Sequence, residues 1–91
     1  MRVFWSPQAV ADREAIWEYI AADDPSAAAR VDTDLEAAVG GLAEHPGLGR
    51  PGLLPGTREL FPVPKSRVVY EINGDEVWVL AIVHTSRLWP L

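Results

Sequence analysis

The sequence predicts a single α+β domain over residues 1–91: a short N-terminal strand, an antiparallel helical hairpin, then a three-stranded antiparallel sheet, in the order β-α-α-β-β-β. Two observations predict the hairpin. Ser6-Pro7 and Asp24-Pro25 each set an N-cap side chain before a proline, which fits the first turn of a helix because its missing N–H has no partner there anyway. A third predicts the sheet: from Arg58 onward apolar residues recur with a period of two, and Asn73-Gly74 marks a tight hairpin between two such runs.

Arg2 to Trp5 is β-branched and aromatic and reads as the first strand. Residues 7–22 form the first helix, with Ala9, Val10, Ile16, Trp17 and Ile20 on its apolar stripe. The second helix begins at Pro25; Val31, Leu35, Ala38, Val39 and Leu42 make its stripe, and Asp32, Asp34 and Glu36 are expected to face water. So short a link makes the helices antiparallel. Gly40-Gly41 weakens the last turns and Pro46 stops them. Residues 46–57 contain four glycines and three prolines, a close-fitting crossover that Leu48, Leu53 and Leu54 are expected to pin to the core. Three strands follow: Arg58 to Val63 at an edge, marked by Pro62 and Pro64, then Arg67 to Ile72 and Glu76 to His84.

With Asn73-Gly74 as the turn, Ile72 pairs with Asp75, Tyr70 with Val77 and Val68 with Val79. Val68, Tyr70, Ile72, Val77, Val79, Ala81 and Val83 then face the helices. The opposite face carries Arg67, Val69, Glu71, Trp78, Leu80, Ile82 and His84. Val69, Trp78, Leu80 and Ile82 make an apolar strip that this short chain can cover only with its tail, through Leu88 and Trp89, so the strip is expected to dock another chain.

Composition narrows the function. The chain has no cysteine, so it has no disulfides or thiolate metal site, and its two histidines lack acidic neighbours at ligand spacing; no metal or other cofactor is expected. No apolar run approaches the ~20 residues of a membrane span, and the N-terminus lacks a signal-peptide layout, which predicts a cytoplasmic protein that meets no membrane. Net charge is −5, unlike a protein that coats nucleic acid. Residues 1–49 set three basic groups against nine acids, whereas residues 50–91 set five against four. The C-terminal half is therefore the one expected to meet a target.

Arg58, Arg67, His84 and Arg87 lie at strand positions or strand ends and are the candidate catalytic set. An imidazole titrating near neutrality can act as base or acid, and guanidinium forks can hold a phosphate during RNA cleavage by 2′-hydroxyl attack. A lone histidine at a strand end is more often structural, so recognition ranks ahead of catalysis.

Several stretches, in order, carry a family likeness: Trp5-Ser6-Pro7, Ile16-Trp17-Glu18-Tyr19-Ile20, Gly49-Arg50-Pro51-Gly52, Gly56-Thr57-Arg58-Glu59-Leu60, Val68-Val69-Tyr70 and His84-x-x-Arg87-x-Trp89-Pro90. The chain resembles the RelE/ParE superfamily of toxins from bacterial type II toxin–antitoxin systems. The resemblance implies a toxin neutralised by a cognate antitoxin, which would occupy the Val69, Trp78, Leu80 and Ile82 strip. It implies no sequence-specific DNA binding by this chain alone. One branch of the superfamily cleaves mRNA on the ribosome; the ParE-like branch inhibits DNA gyrase. The acidic balance, the arginine-proline-glycine loop and the Trp89-Pro90 ending place the likeness nearer ParE, with Arg50, Arg58, Arg67, Arg87 and Trp89 as the target-binding surface. The alternatives are a ribosome-dependent mRNA endonuclease using His84 and arginines, and a decayed member that only binds an antitoxin.

Overall fold

In the computed structural model, which describes residues 1–85 and Trp89, the elements are β1 (Arg2–Trp5), α1 (Pro7–Ala21), α2 (Pro25–Gly40), a 3-10 turn (Gly41–Ala43), β2 (Arg50–Pro51), β3 (Thr57–Val63), β4 (Ser66–Asn73) and β5 (Glu76–His84). Both helix starts form as their caps dictate: Ser6 Oγ accepts from the Ala9 N–H at 3.1 Å, and Asp24 Oδ1 from that of Ala27 at 3.1 Å. The three antiparallel strands gain a partner on each side. The sheet runs β1-β5-β4-β3-β2, with β1 parallel to β5 and the two-residue β2 antiparallel to β3 within the glycine-proline loop. The helical hairpin covers one face: Ala9, Leu35, Val39, Val68, Val79 and Ile82 share one core cluster, and Leu42, Tyr70 and Val77 a second beside it.

The β4–β5 hairpin departs from expectation twice. Its last pair is Asn73 with Glu76, so Gly74-Asp75 is the turn, and the positive φ of 63° falls on Gly74. A two-residue turn opening on a left-handed glycine matches strand twist, and sliding the turn by one moves each pairing by two, which preserves the faces. The second departure changes the faces. Val69 pairs with Ala81 but Tyr70 with Val79, so Leu80 is an extra, bulged residue. Beyond it, parity reverses: Ile82 enters the helix-side core, while Ala81 and Val83 move to the outer face.

The bulge is held from α1. Ser6 Oγ donates to the Leu80 carbonyl at 2.9 Å, and the Asp12 carboxylate accepts the Ile82 N–H at 2.9 Å. Both side chains close the stretch of β5 that lies beyond the end of β1, where an open edge would invite pairing with another chain. Asp12→Ala is expected to cost about 1.5 kcal/mol, because the Ile82 N–H loses a charged acceptor in a part-buried setting. Urea unfolding checks the loss, and Asp12→Asn, which keeps an acceptor, should recover part of it.

Two helix-stripe expectations fail. Val10 and Trp17 remain 43% and 41% exposed. Asp32, expected in water, instead receives two hydrogen bonds from the Arg13 fork at 2.6 and 2.8 Å, and the same fork reaches Glu36 at 3.2 Å. That hydrogen-bonded guanidinium holds the Asp32 carboxyl below its ordinary range. A depressed folded-state pKa gives stability that is present above the unfolded value and lost as pH falls through the folded one. Asp32→Asn is therefore expected to cost about 0.5–1 kcal/mol at pH ~7 and almost nothing once pH drops well below ~4. Unfolding both proteins across that range is the check.

Leu48 and Leu53 do not pin the crossover loop, for both are two-thirds exposed, and Leu54 is exposed as well. Its anchor is Tyr70, fully buried, whose hydroxyl accepts the Gly49 N–H at 2.8 Å and donates to the Pro46 carbonyl at 2.7 Å. Arg58 adds a bond to the Gly49 carbonyl at 2.8 Å.

Candidate interaction site

Strand position decides which charged groups can act together. Arg58 pairs with Tyr70 and so lies on the helix side, where its guanidinium reaches the carbonyls of Gly47 and Gly49. Arg67 alternates with the core residue Val68 and lies on the outer face, its Nη1 3.7 Å from the Glu59 carboxylate. Arg50 approaches the other Glu59 oxygen at 3.9 Å and lays its guanidinium over the Phe61 ring, 4.4 Å from the centroid. His84, carried past the bulge, returns to the helix side and pairs with Ser66 at the far end of β4. The sheet thus separates Arg67 from both His84 and Arg58. The expected convergence of Arg58, Arg67 and His84 on one phosphate does not occur. Arg87 lies outside the described residues. Among the described residues, no cluster of three or more histidines, cysteines or carboxylates could hold a metal ion.

The expected docking strip also divides. Val69 is 1% exposed, Ile82 sits in the helix-side core, and Leu80 occupies the bulge. Trp78 stacks on Phe4 at 4.9 Å, with planes 21° apart, and its Nε1–H donates to Glu76. One residue of bulge disperses a strip that strict alternation would have lined up. Trp89, expected as its lid, is half-buried and lines a hollow at the β5 edge with Gln8, Asp12 and Ala81 to His84.

An apolar groove appears in another place. Ile16 and Ile20 of α1 face Ile82 of β5 and Pro64 of the β3–β4 turn across a cavity of about 470 Å³. Asp12 closes its inner end; Tyr19, Lys65 and His84 stand at its rim. Sequence periodicity missed this groove because its floor needs Ile82 on the helix side. The signal that was available is α1 itself, whose Ile16-Trp17-Glu18-Tyr19-Ile20 run carries more apolar surface than one core-facing stripe uses.

Comparison with known proteins agrees with this architecture. The family model described as ParE toxin of type II toxin-antitoxin system, parDE, matches residues 3–89. The chain belongs to this ParE toxin family. It is 40% identical over 98% of its length to the Sinorhizobium fredii protein named "Putative toxin Y4kP", covering 93% of that protein. It is 39% identical over 96% of its length to Toxin RelE2 of Caulobacter vibrioides, covering 98% of it. Among solved structures, a chain of the chromosomal ParDE system from P. aeruginosa superposes with a TM-score of 0.80 at 28% identity, over 92% of this chain and 95% of that one. As a ParE-family member the protein is the toxin of a type II toxin–antitoxin pair, and the family implies an antitoxin partner. Among the described residues no helix is long and apolar enough to cross a membrane.

Proposed function

We propose that this ParE-family toxin inhibits DNA gyrase by binding it, and that its antitoxin docks in the groove between α1 and the sheet. One observation supports the first half: Arg67 lies across the sheet from His84 and Arg58, and Arg58 donates to loop carbonyls, an arrangement that does not favour gathering all three around one phosphate. Catalysis of RNA cleavage needs base, acid and charge-stabilising groups around one reacting centre. A binding toxin needs only a rigid surface. The loop from Pro46 to Thr57, tied down by Tyr70 and Arg58, offers one, with Arg50 over Phe61 at its edge and exposed leucines beside it. The second half rests on the groove's apolar floor, which the bulge at Leu80 creates by turning Ile82 to the helix side.

The purified toxin is expected to inhibit gyrase supercoiling at micromolar concentration. His84→Ala should arrest growth as well as the parent chain. Ribosome-dependent mRNA cleavage that His84→Ala abolishes would replace this reading with the nuclease one. Expression without antitoxin that leaves growth unchanged would mark the chain as one that only binds an antitoxin.

A further inference from the structure

The turn joining β3 to β4 sets an unusual residue at the mouth of the groove. Val63 pairs with Ser66 across Pro64-Lys65, and Lys65 has φ 63°, making it the one described non-glycine residue in left-handed backbone. A turn with proline first and positive φ second favours glycine or asparagine at that second position. A lysine there costs backbone strain that glycine would avoid. The groove it borders is apolar at its floor, and Tyr19, 84% exposed, stands over it from α1. From Asp12 to Ile20 the α1 wall runs for about 12 Å, the length of two helical turns.

Charge at the mouth contrasts with the rest of the helical half. Asp12, the one acid among the groove's described lining residues, accepts from the Ile82 N–H and from Gln8. Among the described residues Lys65 is the cation along the rim, with the His84 imidazole beside it, and both adjoin a helical half that carries nine acids against three arginines. A basic mouth over an apolar floor complements an amphipathic helix with a carboxylate beside its apolar stripe.

We propose that Lys65 is kept in its left-handed conformation as the specificity-determining contact for a carboxylate on an amphipathic helix of the antitoxin. This rests on the reading of the groove as the antitoxin's site. The left-handed backbone sets the direction in which the Lys65 stem leaves the turn, at the mouth of the groove, and a cation held there favours partners that carry a carboxylate and disfavours those that carry a cation.

The test uses two labelled helical peptides with the same leucine stripe, one flanked by glutamates and one by lysines. Both are titrated by fluorescence anisotropy against the intact chain, Lys65→Gly, Lys65→Asn and Tyr19→Ala, and each protein is also unfolded in urea. The glutamate peptide is expected to bind the parent chain more tightly than the lysine peptide. Lys65→Gly and Lys65→Asn should unfold at urea concentrations no lower than the parent, yet weaken the glutamate peptide about two- to fivefold, as an exposed ion pair allows. They should not weaken the lysine peptide, while Tyr19→Ala should weaken both. Glutamate-peptide binding unchanged in the Lys65 variants but lost in Tyr19→Ala overturns the role of Lys65 and leaves the groove reading standing. Binding indifferent to all three variants overturns both, as does self-association that Tyr19→Ala abolishes.

Discussion

Gly49→Ala is expected to be strongly destabilising, costing about 3 kcal/mol, the upper end of the overpacking range. A methyl at this position would lie 2.8 Å from the Glu59 carbonyl oxygen, 2.7 Å from the Tyr70 hydroxyl and 2.8 Å from its ring. The first neighbour is strand backbone, paired with Arg50 across β2–β3, and the other two belong to a fully buried side chain. None can retreat without breaking the ladder or the core, so the loop itself must lift. Lifting it breaks the Gly49 N–H bond to Tyr70 and the Arg58 bond to the Gly49 carbonyl. For a domain this size the midpoint of thermal unfolding should fall by roughly 12–24 °C. Because Arg50 follows directly, the same substitution should also weaken the proposed inhibition of gyrase at temperatures where the chain stays folded. Thermal melts and supercoiling assays on one preparation measure both effects.

Local chemistry made the frame legible. Serine or aspartate followed by proline is a helix-start signal carried by adjacent residues, and both predicted starts match α1 and α2. The β4 and β5 strands likewise follow their alternation as far as Val79. The bulge at Leu80 was not legible, because a bulge without glycine has no local signature. It is imposed from seventy or more residues away by Ser6 and Asp12, each of which locally reads as a cap or a solvated acid. The candidate site inherited that error, since Ile82 and His84 exchange faces when one residue is inserted. The Arg13–Asp32 fork was closer to hand. In an antiparallel hairpin, residues roughly equidistant from the link become neighbours, and these two flank Ala22–Asp24 nearly symmetrically. The loop anchor failed for a different reason: leucine predicts burial only on average, whereas a tyrosine in a core strand must find polar partners for its hydroxyl.

That hydroxyl makes Tyr70→Phe the second large prediction, a loss of about 2–4 kcal/mol. Phenylalanine retains the ring's packing against Leu42 and Val77, so nearly all of the cost is polar. Two groups lose a partner at once: the Gly49 N–H, in a buried setting, and the Pro46 carbonyl. Each such orphan costs about 1–3 kcal/mol where water cannot replace the hydroxyl. A smaller loss would mean that water enters beneath the loop, and faster hydrogen exchange at Gly49 would then accompany it. The two substitutions act on one contact, so their effects should not add. In the double variant Gly49→Ala/Tyr70→Phe, the hydroxyl that the new methyl would strike is gone, and the bond the methyl would break is already absent. The clashes with the Glu59 carbonyl and with the ring carbon remain, since phenylalanine removes neither. The double variant should therefore be destabilised by clearly less than the sum of the singles, yet by more than Tyr70→Phe. Full additivity in urea unfolding would mean that Gly49 meets the strand and the ring rather than the hydroxyl, which moves the loop's anchor to Arg58.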